Sequence, residues 1–82
     1  METTEIKLKI REIIAGMFDV SPETVGYEKP FAEMAKYDSM RALEFLAKVE
    51  TEFGVMIDPD LLVKMRTIQG SVEVVEGLLR AS

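Results

Sequence analysis

The stretch from Ser39 to Phe53 constrains the fold most, because it carries two apolar faces on one helical period. Projected at about 100° per residue, one stripe contains the side chains that we expect in a core, namely Ala42, Phe45, Leu46, Val49 and Phe53. A second apolar set falls on roughly the opposite side and contains Met40, Leu43 and Ala47, among or beside Arg41, Glu44 and Lys48. A helix that needed only burial would not place Met and Leu there. We therefore expect the second face to contact another molecule.

Asp38 and Ser39 stand where this helix begins, and either residue type is suited to cap it. The free backbone N–H groups and the dipole at a helix start also favour a phosphate. Two interpretations follow. Ser39 carries a phosphate-linked group beside a docking face, or Asp38 and Ser39 are only an N-terminal cap.

Helical spacing and start signals predict three further helices. The first runs from about Thr4 to Phe18, capped by Thr3 or Thr4, and a long connection follows it. Asp58-Pro59-Asp60 starts a short third helix that reaches about Met65, and Thr67 caps the fourth. We expect spaced apolar residues to hold the long connection to the core: Val20, Val25, Tyr27 and Phe31. Residues 1–82 are thus predicted to form one all-α domain.

Composition excludes several functions. The chain has 15 acidic and 10 basic residues, scattered, with a net charge of −5, which argues against binding nucleic acid or an anionic membrane surface. With no cysteine and no histidine, Ser-His-Asp and Cys-His catalysis and the common zinc ligand sets are impossible. We therefore predict no catalytic residues and no metal site. No apolar run is long enough for membrane insertion.

The tripeptide Asp38-Ser39-Met40 resembles the Asp-Ser-Leu/Met motif of acyl and peptidyl carrier proteins. The surrounding spacing agrees, since Phe31 lies eight residues before Ser39 and Phe53-Gly54 fourteen and fifteen residues after it. Ile57 and Thr67-Ile68 also stand where the family has an apolar residue and a Thr-Val/Ile pair. The resemblance covers essentially all 82 residues.

The resemblance implies a four-helix bundle with a long loop between helices 1 and 2, a short helix 3, and 4'-phosphopantetheine from coenzyme A on Ser39, with Asp38 completing the motif. It implies a carrier of acyl or aminoacyl thioesters, which is a substrate of enzymes and not itself an enzyme. The expected partners are a phosphopantetheinyl transferase, a loading enzyme, and condensing or transferase enzymes of the pathway. Met40, Arg41, Leu43, Glu44, Ala47 and Lys48 would form the docking face. We expect a cytoplasmic monomer.

The chain departs from the family near the motif. Ala35 and Lys36 replace a frequent Leu and Gly, Tyr37 replaces a smaller residue, and Arg41 stands where fatty-acid carriers commonly have an acid. These changes favour a dedicated carrier of polyketide, peptide or other specialised biosynthesis over a housekeeping fatty-acid role, and a cation at Arg41 predicts partners with acidic or mixed surfaces. We expect a stand-alone carrier in such specialised (polyketide or nonribosomal peptide-type) or in fatty-acid-like biosynthesis. The alternative is an unmodified helical protein–protein interaction module of the same fold.

Overall fold

The computed structural model describes residues 1–81. Its three α-helices are α1 (Thr3–Phe18), α2 (Ser39–Phe53) and α3 (Ile68–Ala81). Two short 3₁₀ helices, Pro22–Thr24 and Phe31–Glu33, lie in the long connection, and a third, Pro59–Lys64, lies between α2 and α3. Pro59–Lys64 takes the place of the predicted third helix, so the four-helix, all-α architecture is confirmed. The described residues contain no β-strand.

The core forms where α1 packs against both α2 and α3. The buried residues of α1, Ile6, Ile10, Ile14 and Ala15, follow the predicted stripe. On α2, Phe45, Leu46, Val49 and Phe53 are buried, whereas Ala42 is only half-buried. Ala42 lies one turn from the helix start and lines an open cavity there.

The helix ends follow the sequence signals except at the start of α1. Gly54 ends α2 in the left-handed conformation, with φ 64°, and the Thr67 hydroxyl accepts from the Gly70 N–H at 2.9 Å as the predicted cap of α3. The predicted threonine cap of α1 is wrong. Glu2 occupies that position without a side-chain cap bond, and the Thr3 hydroxyl instead bonds the Glu76 carboxylate of α3.

The connection between α1 and α2 is held to the start of α3. The Phe31 N–H donates to the Arg66 carbonyl at 2.8 Å, and the Gln69 N–H donates to the Tyr27 carbonyl at 3.0 Å. Val25 and Phe31 are buried as predicted, and Tyr27 is half-buried. Val20 is exposed, so its predicted role as an anchor is wrong; it belongs to the turn that ends α1, where its N–H bonds the Ala15 carbonyl.

The segment between α2 and α3 is fixed by two carboxylates. Glu50 Oε2 accepts from the Ile57 N–H at 2.7 Å, and Asp58 accepts from the Asp60 N–H at 2.9 Å at the start of the 3₁₀ helix. Met65 is buried beyond the end of that helix, while Leu61 and Leu62 are half-buried against the core. In the described part of the chain, no helix has the length and apolar character needed to cross a membrane.

Candidate functional site at the start of α2

Asp38, and not Ser39, caps α2. The Asp38 backbone is extended, and its carboxylate accepts from the Arg41 N–H at 2.9 Å. Ser39 is the first helical residue and is exposed to solvent. Its hydroxyl makes no hydrogen bond to any other residue in the range 1–81. One side chain of the motif therefore completes the helix, and the neighbouring hydroxyl is left open to solvent.

The loop before the motif has an unusual backbone and an aromatic side chain. Lys36 adopts a left-handed conformation with φ 69°, at the place where the resembled family frequently has glycine. Tyr37 then packs its ring 6.0 Å from both the Phe18 and the Phe31 ring centroids, and Phe31 in turn meets Phe45 edge-on at 5.1 Å. Burial raises the pKa of the Tyr37 phenol, and the Arg66 guanidinium lowers it by a smaller amount.

An open cavity of about 770 Å³ lies beside Ser39. Its walls come from the long connection, the first turn of α2 and the end of the 3₁₀ helix. Apolar lining is supplied by Pro30, Ala32, Ala42, Leu62 and Val63, and polar lining by Tyr37, Asp38, Ser39, Arg66 and Thr67. Arg66 is the only cation on this lining, and it shares the cavity with the Ser39 hydroxyl.

The outer face of α2 is exposed at its first turns. Met40 is 79% exposed and Leu43 is 53% exposed, so these two apolar residues face away from the core as predicted. Arg41 is half-buried, bonds Glu44 at 3.1 Å and places its guanidinium carbon 5.6 Å from the Phe18 ring centroid. The Arg41 charge is therefore partly neutralised by a neighbour on its own helix.

The structure divides the six predicted docking residues into two groups. Met40 and Leu43 lie next to Ser39 on the exposed first turns. Glu44, Ala47 and Lys48 line a shallow groove between α1 and α2, together with Glu12 and Gly16 among others. Arg41 lies at the boundary, because its guanidinium approaches Phe18 at the end of α1.

Arg66 and Tyr37 were not predicted as site residues. Arg66 is distant from Ser39 in sequence, and only the bond between the Phe31 N–H and its carbonyl reveals how the long connection brings the two regions together. In the sequence, Tyr37 stands out only as a departure from the resembled family. Its position next to Asp38 was the available signal. Within residues 1–81, no cluster of three or more acidic side chains is placed to hold a metal ion.

Comparison with known proteins agrees with this architecture. Residues 8–75 match the family described as "Phosphopantetheine attachment site". The acyl carrier protein of Thermosynechococcus vestitus is 33% identical over 81 residues, which cover 99% of this chain and all of the relative. The polyketide-8 synthase acyl carrier protein 2 of Streptomyces avermitilis is 31% identical, with 95% of this chain and 93% of the relative covered. The solved acyl carrier protein of Enterococcus faecalis superposes with a TM-score of 0.78 at 26% identity, covering 95% of this chain and 99% of that one.

These matches define a small helical carrier and not an enzyme. The chain belongs to the acyl carrier protein family, whose prosthetic group is 4'-phosphopantetheine. The residues at the start of α2 fit a phosphate-linked arm. An exposed and unbonded serine hydroxyl stands at a helix N-terminus, and an open cavity with one arginine adjoins it.

Proposed function

We propose that Ser39 carries the 4'-phosphopantetheine arm and that the protein shuttles acyl or aminoacyl groups between enzymes as thioesters on it. The observation that carries this proposal is that Asp38 and Ser39 have separate roles in the motif. Asp38 already caps α2, so the helix does not need the exposed Ser39 hydroxyl. A serine whose only role was capping would make the cap bond itself.

The arm supplies a chemical group that the chain lacks. The sequence has no cysteine, so a thiol has to come from a prosthetic group. In the attachment reaction Ser39 Oγ bonds to the phosphorus that bears pantetheine in coenzyme A. The bond to adenosine 3',5'-bisphosphate breaks, and the serine proton leaves to a base of the transferase. The protein contributes the exposed hydroxyl, and the helix dipole at this start favours the anionic phosphodiester that forms.

Intact mass tests the attachment residue. The wild-type protein and the variants Ser39→Ala and Ser21→Ala are incubated with coenzyme A and a phosphopantetheinyl transferase. Ser21 is the matched control, because it is also exposed, precedes a short helix and makes no side-chain cap bond there. We expect one added arm on the wild type and on Ser21→Ala, and none on Ser39→Ala. An added arm on Ser39→Ala would overturn the assignment, and no added arm on any of the three would favour the unmodified interaction module.

We further propose that partner enzymes dock on the face around Met40 and Leu43, because these exposed apolar side chains adjoin Ser39. The partners are the transferase, a loading enzyme, and condensing or transferase enzymes. Arg41 is bonded to Glu44, so Lys48, which makes no ion pair within residues 1–81, is the more available cation for an acidic partner surface. The cation-bearing α2, together with the polyketide synthase carrier among the relatives, supports specialised over fatty-acid biosynthesis.

A pair of exposed leucines tests the docking face. Leu43 on α2 and Leu8 on α1 are 53% and 55% exposed, so aspartate at either site should change stability by no more than about 0.5 kcal/mol. We expect Leu43→Asp to slow arm attachment and loading, and Leu8→Asp to leave both rates unchanged. Equal rates for the two variants would remove the outer face of α2 from partner recognition.

A further inference from the structure

Arg66 is the one cation on the lining of the open cavity beside Ser39. Both side chains line the cavity beside the start of α2, together with Tyr37 and Asp38. Arg66 is exposed, and its guanidinium makes no hydrogen bond or ion pair with any residue in the range 1–81. Its backbone carbonyl, by contrast, is held by the Phe31 N–H at 2.8 Å. The Arg66 backbone is therefore held in place, while its guanidinium is available to bind a ligand.

Three other cations, two on α2 and one on the 3₁₀ helix, are directed elsewhere. Arg41 is bonded to Glu44 and lies over the Phe18 ring. Lys64, two residues before Arg66, lines a different cavity, between the 3₁₀ helix and α3. Lys48 lines the groove between α1 and α2. Of these cations, only Arg66 faces the space that a group on Ser39 would enter first.

A cation near Ser39 would stabilise a phosphate attached there. The Asp38 carboxylate lines the same cavity, so the phosphodiester would place a second negative charge beside the first. The backbone dipole at the start of α2 offsets part of this repulsion. A guanidinium offers two parallel N–H donors that match phosphate oxygens, which suits Arg66 better than a lysine for this position.

We propose that Arg66 binds the phosphodiester of the arm attached to Ser39 and that the Tyr37 hydroxyl, on the same cavity wall, supports this binding. This proposal rests on the proposed attachment at Ser39. The phosphate is favoured over an anionic cargo because its phosphorus is bonded directly to the Ser39 oxygen, whereas the cargo lies at the far end of a long, flexible arm. The effect of Arg66 on the pKa of the Tyr37 phenol supports the closeness of these two groups.

Binding of the phosphodiester by Arg66 would hold the attached end of the arm on one side of α2. The arm would leave Ser39 along the cavity lined by Leu62 and Val63, and away from the exposed Met40 and Leu43. The docking face would then remain uncovered when the arm is attached. Arg66 would thus be a positioning residue for the arm.

The experiment compares the stability gained on arm attachment in four proteins: the wild type, Arg66→Gln, Arg66→Lys and the matched control Lys64→Gln. Intact mass first establishes that each protein carries one arm. We expect attachment to raise the thermal midpoint of the wild type and of Lys64→Gln by about 3 °C, a rise typical of one charge pair in a chain of this size. Arg66→Gln should lose most of this rise, and Arg66→Lys should keep part of it.

Two NMR measurements on the wild-type protein test the proposal even if a variant fails to fold. In the wild-type protein, arm attachment should shift the Arg66 side-chain ¹⁵N signal, and added salt should move both this signal and the ³¹P signal back. An equal midpoint rise in Arg66→Gln and the wild type, or an Arg66 signal that does not respond to attachment, would overturn the proposal. A wild-type protein that gains no arm would overturn the proposed attachment itself, and the mass measurement shows this before any midpoint is compared.

Discussion

A side chain caps α2 and α3 in the same way, but the remaining N–H groups at the two helix starts differ in their bonding partners. At α3, Thr67 caps the Gly70 N–H, and the Gln69 N–H donates to the Tyr27 carbonyl of the long connection. At α2, Asp38 caps the Arg41 N–H, and the N–H groups of Ser39 and Met40 bond no other residue in the range 1–81. We call the start of α3 closed because its second N–H, that of Gln69, is bonded within the protein, and the start of α2 open because its second N–H, that of Met40, is left for an anion.

The serines near the two starts show the same contrast. Ser71, in the first turn of α3, is completely buried, and its hydroxyl donates to the Thr67 carbonyl at 2.8 Å. Ser39, at the start of α2, is exposed and its hydroxyl makes no such bond. Of these two serines, only Ser39 therefore has a hydroxyl that a modifying enzyme can reach.

The largest expected effect tests how tightly the start of α3 is closed. A Cβ at Gly70 would overlap the Lys64 carbonyl oxygen, which is backbone and cannot rotate away, whereas a Cβ at Gly77 would meet nothing within 4 Å. We expect Gly70→Ala to lower the free energy of unfolding by about 2–3 kcal/mol, the usual result of overpacking. Gly77→Ala, the control on the same helix, should raise it by up to about 1 kcal/mol. Urea unfolding measures both, and equal values would mean that the α3 start is not closed.

The second prediction separates the two motif residues at the open start. Asp38→Ala removes the cap bond to the Arg41 N–H and should cost about 1 kcal/mol of the free energy of unfolding. Ser39→Ala removes an exposed hydroxyl that caps nothing and should change it by less than about 0.5 kcal/mol. The sequence alone assigned the cap to either residue. A loss in Ser39→Ala as large as that in Asp38→Ala would show that Ser39 shares the capping, which would weaken the case for a hydroxyl reserved for the arm.

The third prediction concerns the backbone that leads into the open start. Lys36 is left-handed, a conformation that costs a residue with a Cβ about 1 kcal/mol or more. Lys36→Gly should relieve this cost, but glycine also gives the unfolded chain more entropy, which offsets part of the gain. We expect a net rise of about 0.5 kcal/mol in the free energy of unfolding. Ala35→Gly is the control, because Ala35 does not have a positive φ and the variant should lose about 0.5 kcal/mol. A loss in both variants would mean that this turn does not strain Lys36.

Local signals predicted the helices well. Apolar residues spaced as on a helix face identified the buried stripes of α1 and α2, and Gly54, Thr67 and Asp58-Pro59 marked helix ends correctly. Such features depend on neighbours in the chain, which the sequence displays directly. The threonine cap of α1 failed because a distant residue, Glu76, takes the Thr3 hydroxyl.

The surroundings of Ser39 were harder to predict because they are assembled from distant segments. The cavity joins the long connection, α2 and the end of the 3₁₀ helix, so no local pattern places Arg66 beside Ser39. The choice between Asp38 and Ser39 as the cap also needed the backbone geometry, since both residue types cap well. The predicted docking residues were separated for a similar reason: α1 lies beside Ala47 and Lys48 and leaves Met40 and Leu43 uncovered.

The smallest effect is expected at high pH and tests the packing of Tyr37 against the open start. Burial raises the pKa of Tyr37 in the folded protein above its ordinary value of 10.0, and the opposing effect of Arg66 is smaller. Below that ordinary value the phenol is protonated in both the folded and the unfolded chain, so it adds no pH dependence. As the pH rises through 10, the unfolded chain loses this proton first, and the free energy of unfolding should fall.

Tyr37→Phe keeps the ring that packs against Phe18 and Phe31 but cannot ionise, so its stability should fall less steeply above pH 10. Chemical denaturation at pH 8 to 11 measures the difference, and parallel curves for the two proteins would show that the Tyr37 hydroxyl is as well solvated in the folded state as in the unfolded chain.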